Sequence, residues 1–165
     1  MAIKTILACI SSNDYLKSVL DASERVASGF NSHIEVLHVR ADPRGLVPYT
    51  GEGMDGTMIE EIMDVTEKES GLRATKVHDA FKSFCDTNEN LLLNGDHSSQ
   101  ATTISWSEEV GREDEVVSIR GRLFDIIAVG QPAKDQALPS PITLEAALLD
   151  TGRPVMMVPP NLPST

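Results

Sequence analysis

Basic residues are scarce in this sequence: 14 Lys and Arg stand against 25 Asp and Glu among 165 residues, which gives a net charge of −11. Proteins that bind nucleic acid need a basic face to contact the phosphate groups, and the sequence offers none. Anionic membrane surfaces likewise attract basic segments. We therefore expect no nucleic-acid partner and no membrane partner.

Cysteines and long apolar runs are also few. No run approaches the roughly 18 apolar residues of a membrane-spanning helix. The opening residues, MAIKTILACI, continue directly into a strand pattern, so we expect no signal peptide. Cys9 and Cys85 are far apart, in a predicted strand and a predicted helix, which is typical of buried reduced thiols. These features predict a cytoplasmic protein.

The motifs of catalysis and of metal binding are missing as well. No HxxxH or CxxC pair occurs, so we predict no metal site. The GxSxG motif is absent, and no histidine can be nominated as a partner for Ser11 or Ser12. Gly51, Gly53 and Gly56 lack the spacing and the Lys-Ser/Thr ending of a phosphate loop. The sequence therefore predicts no catalytic residues, no enzyme and no cofactor.

Apolar runs that alternate with helical patterns organise the chain. The predicted strands cover residues 3–10, 33–39, 101–106, 125–129 and 155–158, and helical spacing covers 16–30, 58–90, 116–123 and 141–150. Continuous apolar strands separated by helices are typical of parallel sheets that are buried on both faces. The pattern predicts an α/β, Rossmann-like, doubly wound parallel sheet of five strands in the order 3-2-1-4-5.

Two features within this pattern allow a structural and a functional interpretation. Trp106, the single tryptophan, lies at the end of the predicted third strand, where packing is favoured over stacking on a ligand. His38 lies inside the second strand with no further metal ligand at a suitable spacing, so a hydrogen-bonded structural role is favoured.

Four segments, KTILACISSN, HIEVLHV, FDIIAVG and EAALLDTGRPVMMVPP, resemble the universal stress protein family. The last segment is the most specific, because a helix that ends in Gly-Arg-Pro before a Val-rich strand looks like the closing element of that family. The resemblance spans nearly all of residues 1–160 and implies one such domain there, with residues 161–165 as a tail or linker. It implies a role in stress response through dimer or tandem association, without catalysis.

The resemblance also implies where a nucleotide would bind. In members that bind ATP, an Asp ends the first strand and a G-x2-G-x9-G-S/T loop follows the fourth. Ser11 stands in place of that Asp, Ala133 in place of the second Gly, and Pro141 and Ile142 in place of the final Gly-Ser. Pro141 has no N–H to donate to a phosphate, and the loop of residues 134–140 is two residues short of nine.

Tight ATP binding is therefore not expected, although the resemblance leaves an adenine-nucleotide-binding regulator with slow or no hydrolysis as the alternative. If a nucleotide binds, the residues implied are Ser11, Ser12, Val39, Gly130, Gln131 and Ala133.

The predicted fifth strand supplies a candidate interface. An uncovered apolar edge strand can pair with another chain. In the resembled family this strand pairs with its counterpart across a two-fold axis, or with a second copy of the domain in the same chain. The implied interface of a homodimer or a tandem protein consists of Val155, Met156, Met157 and Val158, and PPNLPST looks like a linker to a second domain.

Overall fold

The described part of the chain, residues 2–46, 55–94, 101–133, 137 and 139–162 of a computed structural model, contains one parallel sheet with helices on both faces. The strands are β1 (Thr5–Cys9), β2 (His33–Ala41), β3 (Leu92–Leu93), β4 (Thr103–Gly111), β5 (Ile126–Gly130) and β6 (Val155–Val158). The helices are α1 (Asn13–Ser28), α2 (Gly56–Thr87), α3 (Glu113–Arg120) and α4 (Pro141–Asp150). Short 3-10 turns cover Pro43–Leu46 and Gly121–Leu123.

The sheet has six strands in the order β3-β4-β2-β1-β5-β6, so the prediction of five was wrong by one. The additional strand, β3, has only two residues, both exposed, and they pair with the start of β4. Two residues are too few to give a period in the sequence. The other five strands follow the predicted order 3-2-1-4-5, which confirms the doubly wound parallel topology.

Several predicted boundaries also need correction. The strand predicted at 101–106 covers Thr103–Gly111, so Trp106 lies near its middle and not at its end. Its second half, with Glu108 and Glu109, is only partly covered, and the polar residues there hide the strand from a search for apolar runs. The helix predicted at 116–123 begins at Glu113 and ends at Arg120. The strand correction matters most, because it moves the carboxyl end of β4.

Side chains alternate between the two faces of the sheet, as they must in a strand. Ile6, Ala8 and Ile34 pack on one face with residues of α1 and α2, including Val19 and Phe81. Leu7, Cys9 and Ile127 pack on the other face with Val117 of α3 and Ala147 of α4. The strands at the centre of the sheet are therefore buried on both sides.

Trp106 packs in this core. Its ring centroid lies 4.9 Å from that of His78, 5.2 Å from that of Phe81 and 6.0 Å from that of His38. The Nδ1–H of His38 donates to the carbonyl oxygen of Ile10 at 2.7 Å, and burial lowers the pKa of His38. The packing role predicted for Trp106 and the structural role predicted for His38 are both confirmed.

The longest helix, α2, has 32 residues. Neither α2 nor any other helix of the described residues combines the length and the apolar character needed to cross a membrane. The segments 47–54 and 95–100, the loop residues 134–136 and 138, and the tail residues 163–165 lie outside the described residues.

Candidate functional site

The carboxyl ends of β1, β2 and β4 open onto one pocket with a volume of about 220 Å³. Ligands of open α/β sheets bind at this edge, because the loops that follow parallel strands diverge there. The pocket is lined by Ser11, Val39, Ala41, Asp42, Gly45, Arg73, Gly111, Arg112, Glu113 and Asp114. Two of the predicted nucleotide-site residues, Ser11 and Val39, therefore lie together in it.

Glu113, the first residue of α3, connects three parts of the fold at this pocket. The hydroxyl of Ser11, which follows β1, donates to the Oε1 atom of Glu113. The hydroxyl of Thr143, in the first turn of α4, also hydrogen bonds to this carboxylate. Burial raises the pKa of Glu113, and the two hydrogen bonds oppose that effect. A carboxylate of the chain itself therefore lies between the end of β1 and the start of α4.

The charged residues around the pocket are largely paired within the chain. Arg112 contacts Asp114 at 2.7 Å and Glu115 at 3.5 Å. Asp42 accepts from the backbone N–H of Arg44 at 2.9 Å, which lowers the pKa of Asp42. Of the two cations in the described lining, Arg112 is paired and Arg73 forms no ion pair among the described residues, so one uncompensated cation is left to attract a phosphate group.

The space beside Gly130 is filled. A Cβ atom added there would lie 2.7 Å from Cγ of Pro139 and 2.7 Å from Cδ1 of Tyr15. In the resembled family this glycine lets a backbone N–H approach a phosphate. The ring of Tyr15, which is 2% exposed, and the buried ring of Pro139 pack directly against Gly130 here.

The donors at the start of α4 are also largely used. Pro141 is the first residue of the helix and has no N–H. The N–H of Ile142 donates to the hydroxyl of Ser140 at 3.2 Å, and the N–H of Leu144 donates to the carbonyl of Ser140 at 3.3 Å. A helix N-terminus binds anions through free N–H groups, and this one keeps few of them.

The other predicted nucleotide-site residues lie away from the pocket lining. The N–H of Gln131 donates to the carbonyl of Val158 at 2.7 Å, which ties it to β6. Ala133 is exposed. Ser12 precedes α1 without capping it, and its buried hydroxyl has no hydrogen-bond partner among the described residues.

Sequence reasoning missed the residues that shape this site, namely Tyr15, Glu113, Pro139 and Thr143. Glu113 directly follows the turn after β4, so an accurate boundary for that strand would have placed it at the carboxyl edge.

Cys9 lies near Glu113, and burial together with that carboxylate raises the pKa of its thiol. Among the described residues, no group of three His, Cys, Asp or Glu side chains is suited to a metal ion.

The β6 strand forms one edge of the sheet, as predicted. The carbonyl oxygen of Pro154 accepts a hydrogen bond from the N–H of Ile127 at 3.0 Å, and that of Val158 accepts one from the N–H of Gln131 at 2.7 Å. Backbone groups alternate in direction along a strand, so those of Val155 and Met157 face away from β5. The side chain of Met157 is 51% exposed.

No family model and no curated protein sequence matches the chain. Solved structures do match it over nearly its whole length. Universal stress protein UspA from Lactobacillus plantarum is similar with a TM-score of 0.64 and 14% identity, covering 96% of this chain and 99% of that chain.

Two of the similar structures contain nucleotides. A universal stress protein in complex with cAMP matches with a TM-score of 0.52 and 13% identity, covering 98% of this chain and 100% of that chain. A universal stress protein family protein from Arabidopsis thaliana with AMP bound matches with a TM-score of 0.51 and 14% identity, covering 96% of this chain and 92% of that chain. The chain has the fold of the universal stress proteins.

Proposed function

We propose that the chain is a universal stress protein that acts in the cytoplasm by association with a partner, without catalysis and without tight ATP binding. The role in stress response is carried over from the proteins whose fold it shares. Binding to a partner, not turnover of a substrate, is then the biochemical event that transmits the signal.

The observation that supports this proposal is the lack of space beside Gly130 and of free donors at the start of α4. The rings of Tyr15 and Pro139 fill the space beside Gly130. The carboxylate of Glu113 lies at the first turn of α4, where it meets Thr143. A phosphate group at the start of α4 would meet few free N–H donors and would approach the carboxyl group of Glu113, which is unfavourable for a dianion when that group is ionised.

The proposed partner surface is the open edge at β6. Among the described residues no further strand pairs with the outward backbone groups of Val155 and Met157, which can therefore pair with a strand of a second chain or of a second domain, as in β-sheet augmentation. Met157→Pro removes one outward N–H and leaves the hydrogen bonds to β5 in place. We expect this variant to lose edge pairing, seen as a lower mass in sedimentation, while its circular dichroism spectrum stays unchanged.

The test of the nucleotide part is to reopen the site. The combination Ala133→Gly, Pro141→Gly and Ile142→Ser restores the glycines and the serine of the resembled loop, with Ser11 left unchanged, and Glu113→Gln removes the carboxylate charge. We expect ATP affinity, measured by isothermal titration, to rise by at least about tenfold over that of the wild-type chain, because N–H donors are regained and a carboxylate is removed.

The matched control is Ala133→Gly alone, which changes an exposed residue and leaves the start of α4 intact. If the four-site variant folds and its affinity for ATP equals that of the control, the missing donors and the Glu113 carboxylate do not explain weak binding.

A second candidate function, an adenine-nucleotide-binding regulator, is favoured by the AMP-bound and cAMP-bound structures of the same fold. The pocket that holds Ser11 and Val39 is the place for such a ligand. Val39→Glu puts a charge into that pocket. If the wild-type chain binds AMP and this variant does not, the regulator is the better description.

A further inference from the structure

Two opposite charges line the pocket at the carboxyl edge of the sheet without touching each other. Glu113 reaches it from the start of α3, and Arg73 reaches it from α2. Burial raises the pKa of Glu113 and the positive charge of Arg73 opposes that rise, so the two groups sense each other. Arg73 forms no ion pair, with Glu113 or with any other described residue. Room is therefore left between them for a group that carries both signs of charge.

The other charged side chains of the described lining are already compensated within the chain. Arg112 contacts Asp114 at 2.7 Å. Asp42 contacts Arg44 at 3.3 Å. Charges that are paired in this way add little to the attraction of a ligand. The two unpaired groups of the preceding paragraph are thus the ones that select a ligand by its charge.

The carboxyl group of Glu113 is held in place but keeps part of its acceptor capacity. The hydroxyls of Ser11 and Thr143 hydrogen bond to it. An ionised carboxylate offers about four lone-pair sites, so about two remain for the donors of a ligand. A cationic nitrogen beside this group would also favour its ionised form. Glu113 is therefore a preorganised acceptor for an ammonium group.

The volume of the pocket limits the ligand to a small molecule. It measures about 220 Å³, which is below the roughly 300–1,000 Å³ of pockets that take drug-sized ligands. At about 30 Å³ for each water molecule of the liquid, the space corresponds to about seven non-hydrogen atoms. Val39 and Ala41 add apolar surface to the lining. A short aliphatic side chain matches that surface.

A ligand with a single charge fits this pocket less well than a zwitterion. A simple carboxylate is attracted by Arg73 and repelled by Glu113, and a simple amine meets the reverse. A zwitterion places each of its charges beside the opposite charge of the pocket, so that both attractions add. The charge pattern thus favours a ligand that carries a carboxylate and an ammonium group.

We propose that this pocket binds a small aliphatic α-amino acid, with its carboxylate at Arg73 and its ammonium group at Glu113. The side chain then packs on Val39 and Ala41. This inference goes beyond the proposed function, because association at β6 does not require a bound ligand. Arg73 is exposed and the ligand is small, so we expect a dissociation constant on the order of 0.1–1 mM.

The test is titration of the full chain with L-valine and two analogues, followed by NMR chemical shifts. Isovalerate is valine without its ammonium group, and isobutylamine is valine without its carboxylate. We expect each analogue to bind at least about tenfold more weakly than valine, because each loses one attraction and keeps one repulsion.

Two variants assign the two contacts. Arg73→Met should weaken the binding of valine by at least about tenfold, without weakening that of isobutylamine. Glu113→Gln should weaken the binding of valine to a similar extent, without weakening that of isovalerate. A role of either residue in folding alone would not produce this crossed pattern.

Matched controls remove the same charges elsewhere. Lys76→Met removes a positive charge from α2, and Glu145→Gln removes a negative charge from α4. Both residues are exposed and lie outside the described lining of the pocket. We expect neither control to change the binding of valine.

Three results would overturn the proposal. One is the absence of saturable shifts with L-valine and with L-alanine up to about 20 mM. Another is equal affinity for valine and for either analogue. The third is binding of valine that neither Arg73→Met nor Glu113→Gln weakens, because the ligand would then lie elsewhere.

The same titration with nucleotides separates this inference from the proposed function. Binding of valine without binding of ATP supports both. Binding of both ligands supports the amino-acid site and contradicts the account of weak ATP binding. Binding of AMP without binding of valine shows that the pocket belongs to the nucleotide regulator, and the amino-acid site is then wrong.

Discussion

Replacing Gly130 with alanine tests whether the space beside Gly130 is filled. The new Cβ atom would lie 2.7 Å from Cγ of Pro139, 2.7 Å from Cδ1 of Tyr15 and 3.1 Å from Cγ of Tyr15. Atoms of this kind are in comfortable contact at about 3.5–4.0 Å. Neither ring is the end of a flexible side chain, and Tyr15 is buried, so the overlap has to be relieved by movement of the backbone or of the packed rings.

The expected cost follows from overpacking, which destabilises a well-packed core by about 1–3 kcal/mol. Gly130 does not have a positive φ, so alanine fits its backbone conformation. Alanine also restricts the unfolded chain, which raises the free energy of unfolding by about 0.4–1 kcal/mol. The net loss should be about 1–2 kcal/mol in the free energy of unfolding. For a chain of this size, such a loss lowers the melting temperature by about 2–8 °C.

The assay is urea unfolding followed by circular dichroism, with Gly111→Ala as the matched control. Gly111 also ends a strand at the carboxyl edge, but a Cβ atom there meets only Cγ2 of Val116, at an ordinary 3.6 Å. We expect the control to be as stable as the wild-type chain or slightly more stable. Equal stabilities of the two alanine variants would show that the space beside Gly130 is open, and the account of the site would be refuted.

Three further predictions concern charged groups. Burial raises the pKa of Glu113, so folding favours its protonated form. Glu113→Gln should therefore stabilise the chain at neutral pH, and this gain in the free energy of unfolding should shrink as the pH falls toward 4.5. A gain that does not change with pH would contradict this. Asp125 accepts from the N–H groups of Lys4 and Thr5 at 2.8 Å and 3.0 Å, and these bonds lower its pKa. Asp125→Asn should therefore lower the free energy of unfolding by about 1–2 kcal/mol at neutral pH. The difference from wild type should disappear as the pH falls below 3.8, where the carboxylate becomes protonated. A loss of stability that persists at that pH would exclude the charge as its cause. Arg120 forms ion pairs with Glu35 and with Glu109, the latter at 2.8 Å. Arg120→Met should destabilise the chain by about 1–3 kcal/mol, because two carboxylates lose their shared cation. An unchanged midpoint of urea unfolding would refute that prediction.

The parts of the fold that sequence reasoning predicted correctly are those in which burial sets the pattern. The central strands β1, β2 and β5 are covered on both faces, and their apolar runs follow directly from that. The start of α4 was predicted because Ser140 caps a helix that opens with Pro141. The second half of β4 was not predicted, because a partly covered strand carries Glu108 and Glu109 and resembles a loop in sequence.

The candidate site depends on contacts between residues distant in sequence. The missing glycines were visible in the sequence, but the side chains that pack beside Gly130 were not. Tyr15 and Pro139 meet beside Gly130 only when α1, β5 and the turn before α4 are assembled. Ser11 and Glu113 are 102 positions apart. Moving the end of β4 by one residue would point the side chain of Glu113 away from Ser11. Such pairings depend on tertiary packing, which local patterns do not contain.

The central proposal is that the chain combines the universal stress protein fold with weak or absent ATP binding. The most direct test is isothermal titration of the wild-type chain with ATP and magnesium. The account predicts no binding heat up to about 1 mM ATP, which corresponds to a binding free energy weaker than about −4 kcal/mol. A dissociation constant in the micromolar range would contradict it.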